Sequence, residues 1–77
     1  MDRVEIAKRL NESLELSVSK FLGELLEILD EIGFDRFCID NGFSPYNLRK
    51  ELHLDASIYR ISVILKALGL KLTLAPI

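Results

Sequence analysis

The 77-residue sequence predicts a single mainly α domain, residues 1–77, built of five short helices with a short β-strand at its C-terminal end. Three observations lead there. Apolar residues recur every three or four positions along most of the chain, the period of a helix with one buried face. Only Leu70-Lys71-Leu72-Thr73-Leu74 alternates residue by residue, as a half-buried strand does. Gly33, Gly42 and Gly69 each stand where an apolar-periodic run stops.

Residues 3–32 read as a helical pair. Asp2 followed by Glu5 resembles a capping box, with aspartate in the place of serine or threonine. A helix over residues 3–16 aligns Ile6, Leu10 and Leu14 in one stripe, with Ala7 beside it and Glu5, Lys8, Arg9, Glu12 and Glu15 opposite. That stripe either covers the domain's own core or docks on a partner, so Ile6, Leu10 and Leu14 are candidate partner-binding residues. Ser17-Val18-Ser19 then separates a second helix, residues 20–32, with Leu22, Leu25, Leu26 and Leu29 on one face. Phe21, Ile28 and Ile32 widen that face past half the circumference, so it needs cover from two directions.

Residues 34–52 read as two short helices hinged at Gly42. Asp35 is the candidate N-cap of the first, which turns Phe37 and Cys38 inward. Gly42 occupies a turn that calls for positive φ, and Phe43 can pin the two helices together. Ser44 supplies a cap and Pro45 a first helical residue that forfeits no hydrogen bond. Leu48 and Leu52, four apart, face the first helix, leaving Tyr46, Asn47 and Lys50 outward with Arg49 on the flank. This is the outline of a DNA-binding helix-turn-helix, with Ser44, Tyr46, Asn47, Arg49, Lys50 and His53 as candidate contacts to bases and phosphates. A helical hairpin with a merely solvated outer face fits the same spacing.

His53 to Asp55 forms a short connector, and Asp55 or Ser57 caps a last helix over residues 57–68 that buries Ile58, Ile61, Leu65 and Leu68. Tyr59 and Val63 form a second strip, read as a dimer contact, with cover by the first helix as the alternative. The strand at 70–74, stopped by Ala75-Pro76, has no companion in a helical domain. Its backbone groups call for a symmetry mate or another protein's sheet edge. Tyr59, Val63, Leu70, Leu72 and Leu74 are therefore the candidate dimer residues.

Charge is uneven. The net value is −2, but residues 1–33 carry eight acids and four bases (4 − 8 = −4), and residues 34–77 carry four acids and six bases (6 − 4 = +2). The base-rich half holds the hinge, a balance that permits nucleic acid without demanding it. A single cysteine excludes an internal disulfide and fits a reducing cytoplasm. The first residues lack a signal-peptide core, and no apolar run approaches the length of about 20 residues that a membrane helix needs. One histidine, one buried-type cysteine and scattered carboxylates offer no converging catalytic set, cofactor loop or metal-ligand spacing. The expectation is a cytoplasmic protein that is not an enzyme, with no cofactor and no membrane contact.

The run Ile64-Leu65-Lys66-Ala67-Leu68-Gly69-Leu70-Lys71-Leu72-Thr73-Leu74 resembles the closing segment of the addiction-module antidote family, the HigA-like helix-turn-helix antitoxins. Gly42-Phe43-Ser44 with Leu48 and Leu52 resembles that family's turn and recognition helix, and Ile6-Ala7 with Leu10 and Leu14 resembles its leading helix. The connector before the last helix is shorter than in that family, and Asn41 stands where an apolar residue is usual. The resemblance implies an antitoxin of a type II toxin-antitoxin module: a homodimer that neutralises a small basic toxin protein and represses its own operon by binding operator double-stranded DNA. The alternative is a protein-interaction module, or a plain transcriptional regulator, that keeps the helix-turn-helix without a toxin partner.

Overall fold

A computed structural model describes residues 1–54 and 56–73, with Leu54 described by its backbone alone. Asp55, Leu74 and the Ala75-Pro76 stop lie outside the described residues. Five α-helices occur among them: α1 (Arg3–Leu16), α2 (Val18–Ile32), α3 (Phe34–Asn41), α4 (Pro45–Leu54) and α5 (Ile58–Ala67). The mainly α class therefore holds.

α1 begins as its sequence dictates, with the Asp2 carboxylate accepting the Glu5 amide at 2.8 Å. Ile6 and Leu10 are buried, and Ser13 turns inward beside them with its hydroxyl donating to the Leu10 carbonyl at 2.9 Å. On the polar side Arg9 reaches α2, donating to Glu24 and to Glu31 at 2.6 Å each. The break before α2 is shorter than the three-residue separator expected from sequence. Ser17 alone makes it: its hydroxyl accepts the Lys20 amide at 3.0 Å, so Val18 and Ser19 already belong to the helix. A serine that caps its own helix needs no further spacer.

α2 is the central element. Leu25, Ile28 and Leu29 are fully buried, and α1, α3 and α4 all pack against it. Its wide apolar face is thus covered from both sides by the same chain, α1 on one and the α3–α4 pair on the other. α3 starts at Phe34, directly after the left-handed Gly33, and not after an Asp35 cap. Burial of the Phe34 ring draws the helix start back by a turn's fraction, which leaves the Asp35 carboxylate in the first turn, where the helix dipole still favours it.

α5 starts at the Ser57 cap, whose hydroxyl accepts the Arg60 amide at 3.1 Å. It delivers Ile61, Ile64 and Leu65 to the core, with Leu68 half-buried behind them. Ile58, expected inside, is 77% exposed. It sits at the first helical position and at the edge of the stripe, and the fully buried Ile64 takes the role assigned to it. Arg60 ties α5 to α4 by an ion pair with Glu51 at 3.1 Å and lies 5.3 Å from the centre of the Phe43 ring.

Gly69 (φ 80°) closes α5 in the left-handed conformation, with the Gly69 amide donating to the Lys66 carbonyl at 3.0 Å and the Leu70 amide to the Leu65 carbonyl at 2.8 Å. This paired closure satisfies the last carbonyls of the helix. The Leu70–Thr73 segment that follows is not a strand, and no strand occurs among the described residues. Side-chain alternation alone does not make a strand when no neighbouring strand is there to accept and donate the ladder bonds. No helix among the described residues is long and apolar enough to cross a membrane.

Candidate nucleic-acid interface

The α3–α4 turn is built from local chemistry. Gly42 (φ 75°, ψ 23°) takes the left-handed position, the Phe43 amide donates to the Cys38 carbonyl at 2.8 Å, and the Gly42 amide to the Ile39 carbonyl at 3.4 Å. The apolar residue after such a glycine packs back on the last turn of the helix it closes. Phe43 does so, its ring stacked on Phe37 with centroids 6.0 Å apart and planes 27° from parallel. Cys38 is fully buried, and burial pushes its thiol pKa up, which disfavours the thiolate. Asn41, the polar residue before the glycine, remains exposed and returns its side-chain amide to the Phe37 carbonyl at 2.8 Å. No apolar side chain is required there because Phe43 supplies the closure.

α4 stands on Leu48 and Leu52, both fully buried. Ser44 opens it, its carbonyl accepting the Leu48 amide at 2.9 Å and its hydroxyl approached by the Asn47 amide at 3.4 Å. The hydroxyl is thus engaged in the cap before any ligand arrives. Tyr46 (76% exposed), Asn47, Lys50 and His53 line the outward side, as the spacing predicts. Tyr46, Lys50 and His53 share one shallow depression with Asp35, Pro45 and Arg49.

Arg49 departs from the expectation of a free phosphate contact. Its guanidinium donates to Asp30 of α2, Nη2 to Oδ1 at 2.7 Å and Nη1 to Oδ2 at 3.5 Å, and its Cζ lies 4.1 Å from the centre of the Phe34 ring. The Arg49 hydrogen bond holds the Asp30 carboxyl below the ordinary aspartate range. Asp30 and Phe34 are the residues of this site that sequence reasoning missed. An acid in the last turn of α2, against the helix dipole, was the available signal that a cation lies nearby.

Ion pairs also consume other bases of the C-terminal half. Arg36 pairs with Asp40 along α3 at 3.1 Å and Arg60 with Glu51 at 3.1 Å. Lys50, Lys66 and Lys71 make no salt bridge among the described residues. Of these only Lys50 lies on α4.

The candidate dimer residues converge. Tyr59, Val63, Leu70 and Leu72 line a single surface depression with Ser62, Lys66 and Lys71, formed by α5 and the chain that leaves it. The candidate partner stripe does not survive as a surface: Ile6 and Leu10 are each 4% exposed and belong to the core, because they supply the cover that α2 requires. Leu14 alone remains exposed, beside Leu70 and Leu72 in a groove between α1 and the C-terminal segment. No triad of His, Cys, Asp or Glu able to hold a metal forms among the described residues. No protein-family model, curated protein or solved structure matches the chain.

Proposed function

We propose that this chain is a cytoplasmic antitoxin-type regulator that binds operator double-stranded DNA as a homodimer through the outward side of α4. The observation that carries this reading is the row of exposed Tyr46, Asn47, Lys50 and His53 on a helix whose opposite side is anchored by Leu48 and Leu52. A helix so fixed after a glycine turn can enter a major groove, with the amide of Asn47 and the amine of Lys50 suited to base edges. The antitoxin role, neutralisation of a small basic toxin, rests on the resemblance of the closing segment and turn to the addiction-module antidotes. The acidic N-terminal half would steer the chain onto such a toxin. Leu14 and the exposed Val4, Leu16 and Val18 replace Ile6 and Leu10 as the apolar groups available for that contact.

Dimerisation through Tyr59, Val63, Leu70 and Leu72 suits the reading, since paired helix-turn-helix domains address half-sites about 34 Å apart. The alternating segment 70–73 would become a strand on pairing with its copy. A mobility-shift titration on the DNA upstream of the chain's own gene, against random DNA, tests the operator claim. Equal affinity for both at moderate salt would refute sequence-specific binding. Co-purification with the product of a neighbouring gene tests the antitoxin claim.

The second reading, a protein-interaction module, is favoured by one observation: Arg36, Arg49 and Arg60 are all occupied by carboxylates, leaving few free cations for phosphates. A chain that fails to bind either DNA but captures its neighbour's product would decide for it.

A further inference from the structure

We propose that Asp30 is a built-in competitor for DNA phosphate: it holds the Arg49 guanidinium at the rim of the α4 face and so sets how strongly the domain grips DNA regardless of sequence. The inference rests on the reading of α4 as the DNA-facing helix. Three features of the pair support it. The two groups meet in a fork, Nη2 to Oδ1 at 2.7 Å and Nη1 to Oδ2 at 3.5 Å, which is the arrangement a phosphate would also satisfy. The pair is solvated, with side chains 43% and 48% exposed, so the guanidinium lies within reach of an incoming anion and is withheld from it by the carboxylate alone.

Third, Arg49 borders the same depression as Tyr46, Lys50 and His53, within reach of a ligand on that face. Asp35, also on that rim, adds a second carboxylate to the repulsion. Phe34 beneath the guanidinium keeps it at the rim whichever anion it meets. α2 carries Asp30 in its last turn with no base there to offset the dipole, so the acid is locally unfavourable and is stabilised by Arg49 across the helix junction.

The competing account is a tie that merely fixes α4 to α2. Salt-dependent binding separates the two. Wild type, Asp30→Asn, Asp30→Ser, Arg49→Gln and the double variant Asp30→Asn/Arg49→Gln are titrated against upstream and random DNA. Releasing Arg49 adds one phosphate contact, so both Asp30 variants should show a salt slope steeper by about 0.9, or roughly 3.5-fold more affinity lost over a fourfold rise in salt. Affinity for both DNAs should rise by the same factor, which leaves the ratio between them unchanged. Arg49→Gln alone should keep the wild-type slope, and the double variant should show no gain.

A slope unchanged in both Asp30 variants, with wild type binding upstream DNA, overturns the competitor and leaves the DNA reading intact. A gain that persists in the double variant also overturns it, since simple removal of negative charge would then account for the effect. If neither wild type nor the Asp30 variants bind either DNA at about 50 mM salt, the competitor and the DNA reading fall together.

Discussion

Two glycines in this chain should answer the same substitution with opposite signs. Gly23 lies in the middle of α2 with φ in the ordinary helical range, and a Cβ built there meets no atom within 4 Å. Alanine in a helix interior is more stable than glycine by about 0.5–1 kcal/mol, so Gly23→Ala should stabilise by that amount. Gly42 is equally open, with nothing within 4 Å of its Cβ position, but its φ is +75°. Its cost is therefore purely conformational, about 1–2 kcal/mol for an L side chain held in the left-handed region.

The two variants should differ by about 1.5–3 kcal/mol, which for a domain of this size separates their melting temperatures by roughly 6 to 24 °C. Gly42→Asn should lie between Gly42→Ala and wild type, since asparagine visits that region more readily. Circular dichroism melts at one fixed protein concentration measure all three, the concentration being held because association would itself raise the melting point. Gly42→Ala melting at or above wild type would refute residue 42 as the left-handed hinge between α3 and α4, and Gly23→Ala falling below wild type would refute α2 as an uninterrupted helix.

Lys50→Ala and Asn47→Ala should each weaken binding to upstream DNA by about 1–3 kcal/mol while leaving the melt near wild type, because both side chains are solvent-facing; mobility shifts on matched and random DNA measure it. Val63→Glu should convert dimers to monomers by light scattering and remove operator affinity, and a wild type that stays monomeric at high micromolar concentration would contradict the α5 interface. Asp30 ionises below its ordinary range in the folded chain, so its contribution to stability is present above the unfolded value of about 4 and is lost as pH falls through the lowered folded value. Denaturation of wild type and Asp30→Asn should accordingly differ at pH 7 and converge as the pH falls through the lowered folded value.

Deletion of α1 is not a clean test of toxin contact. Ile6 and Leu10 leave the core with it, and Arg3 leaves its place against Gly69. The truncated chain should lose its cooperative melt. Val4→Glu and Leu16→Glu, both at exposed positions, probe the contact without removing the core.

What the sequence determined by itself is local. Asp2, Ser44 and Ser57 name helix starts because a short polar side chain reaches amides only three residues away, whereas the Ser17 cap emerged only in the structure. Gly42 and Gly69 name helix ends because a left-handed residue is required there, and Leu48 with Leu52 names a buried side because the helical period is fixed. The tertiary structure decided everything that depends on which face meets which. Ile6 and Leu10 became core because α2 offered them a partner surface, and periodicity carries no information on whether an apolar stripe is covered by its own chain or another. Residues 70–73 stayed without a ladder because a strand is a property of two segments. Arg49 met Asp30 because α2 and α4 cross beside Phe34, and a charge 19 positions away in sequence leaves no trace in the spacing around the residue it will pair with.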